Sequence, residues 1–176
     1  MTAIFTVEDG SGIDDANALV SVADADQIME NYGNSSDWSG ASQAEKEMAI
    51  REATRYLNFH YVWDGYKVYE DQTCQWPRYE IYDEDDNYID EDIVPERVKE
   101  ACAYLALQSI LGDTLLEDHE NESKVKKTKD VVGPLTEERE YVIGENPGKS
   151  YQIVDKLLSS FIINGEAFNA TDLERA

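Results

Sequence analysis

The stretch PERVKEACAYLALQSILG, residues 95–112, constrains the fold more than any other. Pro95 suits a first helical turn, where its missing N–H has no intrahelical partner to lose and its φ is already set. Gly112 supplies a stop. Between them Val98, Ala101, Cys102, Leu105 and Ser109 recur at helical spacing, and Ala106, Leu107, Ile110 and Leu111 carry the apolar surface round the second half. A helix apolar on most sides has to be surrounded. The sequence therefore predicts a central helix, whose Ala and Cys side chains are short enough to let neighbours come close.

Three further helices are legible. One begins at Ser21, with Asp24 as a variant capping pair, and sets Val22, Ala25, Ile28, Met29 and Tyr32 on one face before Gly33 ends it. The next opens on the capping box Ser42/Glu45 and runs to about Tyr61. Its buried stripe is Ile50, Ala53, Leu57 and Tyr61, with Glu47 and Arg51 spaced to pair. The last, YQIVDKLLSSFI, places Ile153, Val154, Leu157, Leu158 and Phe161 at helical spacing and ends at Asn164-Gly165. Residues 1–20 read as an extended arm, 33–42 as a loop carrying Trp38, and 61–82 as irregular structure anchored by aromatic residues.

Residues 123–143 alternate polar and apolar positions around Gly133-Pro134, which predicts a β-hairpin. One strand carries Lys124, Lys126, Lys127 and Lys129; the other carries Glu137, Glu138 and Glu140. Cross-strand pairing would neutralise much of the basic strand. The alternation is too weak for a half-buried sheet, so the hairpin is expected to project and make protein contacts. The fold class is mainly α: a small four-helix body with a projecting β-hairpin and extended terminal arms. Residues 1–176 form one domain, with a polar tail from about 165.

Charge narrows the function. Asp plus Glu number 38 against 15 Lys plus Arg, a net charge of −23. Such a surface repels nucleic-acid backbone, whose affinity for proteins comes mainly from Lys and Arg displacing counterions. Anionic membranes are disfavoured for the same reason. MTAIFTVEDG lacks the basic and apolar regions of a signal peptide, and no apolar run approaches a membrane span. The acid is densest at DEDDNYIDED, residues 83–92, where Asp83, Glu84, Asp85, Asp86, Asp90, Glu91 and Asp92 hold seven carboxylates in ten positions. Asp83, Asp85 and Asn87 match the first three ligand positions of an EF-hand. Tyr88 stands where the loop needs Gly, and Val94 where it needs a bidentate Glu. The stretch reads instead as an acidic surface loop that repels a polyanion or docks on a basic neighbour, pinned by Ile89, Ile93 and Val94.

Catalytic chemistry finds no foothold. Cys74 and Cys102 lie in no Cys-x-x-Cys pair and read as reduced and structural. His60 and His119, the only histidines, sit in no metal-ligand or nucleophilic context, and there is no Gly-rich phosphate loop. The expectation is a non-enzyme with no cofactor and no metal.

Seven pieces, in order, resemble a known family: VEDGSGIDDANALVSVADAD (7–26), KEMAIREATRYLN (46–58), YVWDGYKV (61–68), QWPR (75–78), VPERVKEACAYLALQSI (94–110), VGPL (132–135) and YQIVDKLL (151–158). They are similar to the tailed-phage head–tail connector, or adaptor, proteins, often labelled as DnaT-like single-stranded-DNA-binding proteins. The resemblance implies a small helical body with a long loop or hairpin, in a ring of subunits docked below the portal. The ring would extend the DNA channel and offer a platform for the next connector, stopper or tail protein, with termini and hairpin making the contacts between rings. The implied partners are the portal, that next protein, other copies of the chain and double-stranded DNA passing without tight binding, with no membrane. The implied location is the virion neck, after assembly in the bacterial host cytoplasm. The acidic segment 79–92 departs from the family pattern. The alternative is a single-stranded-DNA-binding module of replication, which needs a basic groove with stacking aromatics such as Trp38, Trp63, Trp76 or the tyrosines.

Overall fold

The computed structural model describes residues 4–33, 36–116, 127–132, 135–140 and 151–167. It contains helices α1 (Val22–Tyr32), α2 (Ser36–Gly40), α3 (Gln43–His60), α4 (Glu96–Ile110) and α5 (Gln152–Leu158), and strands β1 (Tyr61–Trp63), β2 (Tyr66–Lys67), β3 (Arg78–Tyr79), β4 (Lys127–Val132), β5 (Leu135–Glu140) and β6 (Ile162–Ala167). The architecture is mainly α. As its apolar circumference requires, α4 is central: each of the other four helices packs on it, α3 most extensively. Val98, Ala101, Cys102, Ala103, Leu105 and Ala106 are all fully buried.

The caps form as the sequence predicts. The Ser21 hydroxyl accepts from the Asp24 N–H at 3.0 Å. At α3 the Ser42 hydroxyl accepts from the Glu45 N–H while the Glu45 carboxylate accepts from the Ser42 N–H at 2.7 Å. Cys74 and Cys102 are free and buried. Cys102 lies 3.5 Å from the Thr54 hydroxyl, which accepts from the Leu19 N–H, and burial pushes its thiol up to about 12.

Three expectations are corrected. The described residues hold five helices, not four. Residues 36–40 form a short helix, because Trp38 is only 1 % exposed and its indole N–H is met by Asp26 at 2.8 Å. Lys46 closes that site, pairing with Asp26 at 2.7 Å over the Trp38 ring.

The N-terminal segment is no extended arm. Residues 4–20 fold back as a loop, Val7 bridging to Ala18, with Ala16, Ala18, Leu19 and Val20 buried. Glu8 organises it while only 2 % exposed, its carboxylate accepting from the N–H groups of Gly10, Gly12 and Ile13 at 2.8–2.9 Å. A buried carboxylate needs such donors in place of water.

The last helix stops at Leu158, and Asn164-Gly165 lies inside β6 rather than at a helix end. β6 pairs antiparallel with β1. Phe161 turns into the core against Trp76 and hands the chain to the strand, so residues 165–167 are not tail.

Residues 61–79 are aromatic-anchored, as expected, with short strands β1, β2 and β3 among them. Trp63 and Trp76 meet edge to face at 5.6 Å. Arg78, itself buried, donates to the carbonyl oxygens of Asp64, Gly65 and Gln75 at 2.6–3.1 Å and of Trp63 at 3.4 Å, and to the Gln75 side chain at 3.1 Å. One planar guanidinium thus gathers carbonyls from both ends of the segment.

Candidate functional site

The acidic stretch folds into a small, tightly hydrogen-bonded reversal. Ile81 is buried, and its carbonyl accepts from the Ile89 N–H at 2.9 Å. Tyr82 bridges to Tyr88, and the Asp83 N–H donates to the Asn87 carbonyl at 2.9 Å. The Asp83 carboxylate accepts from the N–H groups of Asp85 and Asn87, each at 2.9 Å, and from the Asn87 amide. A short polar side chain that bonds its own following backbone is the usual way Asp builds a turn. These bonds, Asn87's first, hold the Asp83 carboxyl below its ordinary range.

The reversal is fixed to the body at three points. Arg97, in the first turn of α4, grips Glu84 with both terminal nitrogens, one of them at 2.5 Å. The grip lowers the Glu84 carboxyl and raises the Arg97 guanidinium. Ile89 packs on the core and Val94 is buried in it, while Ile93 is exposed. Gly10, at φ +103°, lies against the backbone of Asp92, whose oxygen would be 1.8 Å from any Cβ placed there. Only glycine allows this approach.

The loop presents Glu84, Asp85, Asp86, Asp90, Glu91 and Asp92 to solvent, with Asp83 half-buried at the turn. Tyr82 and Tyr88 stand among them, edge to face at 5.6 Å and about half exposed, and the Tyr88 hydroxyl donates to Glu91 at 3.3 Å. Beside its own loss of water, that carboxylate raises the Tyr88 phenol. The Tyr66–Tyr79 pair lies on β2 and β3 at 5.5 Å. The surface is therefore carboxylate with accessible phenol rings. Asp83, the first ligand of the EF-hand match, has its oxygens turned to N–H donors, the reverse of what a cation requires. Among the described residues no three His, Cys, Asp or Glu side chains converge on a metal position.

The hairpin forms from β4 and β5 in the register Lys127↔Glu140, Thr128↔Arg139, Lys129↔Glu138, Asp130↔Glu137, Val131↔Thr136 and Val132↔Leu135. Lys127 and Lys129 thus stand opposite Glu140 and Glu138, while Glu137 stands opposite Asp130. Lys124, Lys126 and His119 lie outside the described residues. His60 ends α3, stacked on Tyr56 at 4.5 Å and edge to face with Tyr61, whose hydroxyl donates to Asp155 at 2.7 Å.

The tryptophans offer nothing to a base. Trp38, Trp63 and Trp76 are all buried in the core, and the accessible rings among the described residues are tyrosines and Phe59. The sequence did not reveal the Glu84–Arg97 grip, since thirteen residues separate the partners and every lysine or arginine has many acidic candidates. Nor did it reveal Glu8, although a carboxylate just before two closely spaced glycines, EDGSG, is a usable signal for a loop wound around it.

Among the described residues no helix is long and apolar enough to cross a membrane. No curated protein matches the chain, and no solved structure matches it. A family comparison matches residues 3–176, nearly the whole length. The chain belongs to the family described as "Putative DnaT-like ssDNA binding protein".

Proposed function

We propose that the chain is a non-catalytic structural subunit, an adaptor of the head–tail junction of a tailed phage. It works as a ring under the portal that extends the DNA channel and receives the next connector, stopper or tail protein. The observation that carries this reading is the acidic reversal at 81–92. Its turn is closed by Asp83, clamped to α4 through Glu84–Arg97 and seated on Gly10, so its carboxylates are held on a fixed backbone. A fixed negative wall keeps a duplex moving past it from sticking, since contact would bring like charges together without counterion release. The resemblance of the seven sequence pieces supplies the phage context, and the net charge of −23 agrees with it.

A second reading, binding of single-stranded DNA, agrees with the description of the family and has one favourable observation in the structure: the accessible Tyr82/Tyr88 and Tyr66/Tyr79 pairs could stack on bases. Glu84, Asp85, Asp86 and Glu91 around Tyr82 and Tyr88 oppose the phosphates that would come with them.

Three measurements separate the readings. Titration of a labelled oligonucleotide at physiological salt should show no binding, and the chain should co-purify with portal rings and appear in electron micrographs of virion necks. Salt-dependent oligonucleotide binding, with no association with portal, would overturn the adaptor reading.

A further inference from the structure

Among the described strands the hairpin keeps two open edges of opposite charge. β4 and β5 pair with each other, and neither shares a sheet with any other described strand. A lone two-stranded ribbon is marginally stable in water, and each outer edge is a row of backbone donors and acceptors able to accept another strand. β4 carries Lys127 and Lys129 against the single Asp130, a net positive edge. β5 carries Glu137, Glu138 and Glu140 against the single Arg139, a net negative edge. Joining two like edges of separate copies would face acid with acid or base with base, whereas joining unlike edges faces base with acid.

We propose that the hairpin is the self-association surface of the chain, with β5 of one copy adding antiparallel to β4 of the next. The alternation β4–β5–β4–β5 is antiparallel throughout. In the register the hairpin already uses, Glu140 and Glu138 of one copy face Lys127 and Lys129 of the next. Contact between two different edges is heterologous, and a heterologous contact closes into a ring when its rotation permits. The inference rests on the ring of the adaptor reading and names the surface that closes it.

The test exchanges the charges. In full-length chain, Lys127→Glu, Lys129→Glu, Glu138→Lys and Glu140→Lys together keep the net charge and every opposite-charge pair inside the hairpin, but reverse both edges. This variant should self-associate as the native chain does. Mixed with native chain carrying a distinguishable tag, it should sort into separate oligomers, with mixed species reduced ~tenfold or more, because each mixed joint pairs like charges. The half variants, Lys127→Glu with Lys129→Glu and Glu138→Lys with Glu140→Lys, should each associate about tenfold more weakly alone and recover when combined. Circular dichroism checks that each variant keeps its helices. Free mixing of native and exchanged chains, native-like association of either half variant, or a native chain that stays monomeric would overturn the proposal. Free mixing within rings found in virion necks sinks the hairpin surface alone. Absence of rings together with oligonucleotide binding sinks the adaptor reading as well.

Discussion

Single residues here act by satisfying buried polar groups that water cannot reach. Glu8 is the clearest, an acceptor for three N–H groups in a nearly closed pocket. Glu8→Gln turns one acceptor into a donor that faces those N–H groups. Chemical denaturation should show a loss of about 2 kcal/mol, the usual cost of leaving charge-assisted bonds unmade in a buried site. A second residue-scale effect depends on pH. Burial lowers the His60 imidazole from its ordinary value near 6.5, with Asp155 opposing the shift. The folded state thus binds the proton less readily than the unfolded chain. The stability that this contributes is complete above pH ~6.5 and is lost as pH falls from there through the lower folded value. His60→Phe keeps a ring on Tyr56 and removes the titration. The variant's melting temperature should therefore fall less than the native chain's when pH drops from about 7.5 to about 5.5.

Elements are held by a few long-range side-chain contacts rather than by their own propensities. The acidic reversal illustrates this, because its tie to α4 is the exposed Glu84–Arg97 pair. Arg97→Ala should leave the melting temperature nearly unchanged, as exposed ion pairs contribute little to global stability. It should nonetheless speed amide exchange at Asp85 and Asn87, whose N–H groups the turn protects. Unchanged exchange there would show that Asp83, Ile89 and the Gly10 seat order the loop without Arg97. The C-terminal strand depends on one core side chain. Phe161→Ala leaves a cavity against Trp76 at the start of β6 and should cost about 3–5 kcal/mol in denaturation. Protection of the β1 amides should fall with it.

The whole molecule carries more negative charge than its 15 Lys and Arg can offset. Self-repulsion raises the energy of the compact state and is screened by salt. The melting temperature should rise as ionic strength goes from about 0.01 M to about 0.15 M, over which the Debye length shrinks from ~30 to ~8 Å. A fall would mean that specific ion pairs such as Lys46–Asp26 outweigh the general repulsion.

Local sequence suffices for what depends on neighbours a few residues apart. The central α4 follows from its apolar circumference, and the starts of α1 and α3 follow from caps in which a hydroxyl and a carboxylate lie three residues apart. The pairing of basic β4 with acidic β5 follows from alternation about a turn. Charge, with the same local logic, marked residues 83–92 as surface. The rest is set by contacts between residues distant in sequence. Tyr32 and Ile153 fit their helices' apolar spacing yet lie exposed, because no element among the described residues covers those edges. Trp38 makes a helix of an expected loop because Asp26 and Lys46 stand ready to receive it. Residues 4–20 are core rather than arm because Glu8 finds its donors and Leu19 finds Thr54. β6 is a strand because β1 offers it an edge. In each case a partner distant in sequence supplies the stabilising free energy, and a periodicity or a capping pattern carries no record of which distant residue that will be.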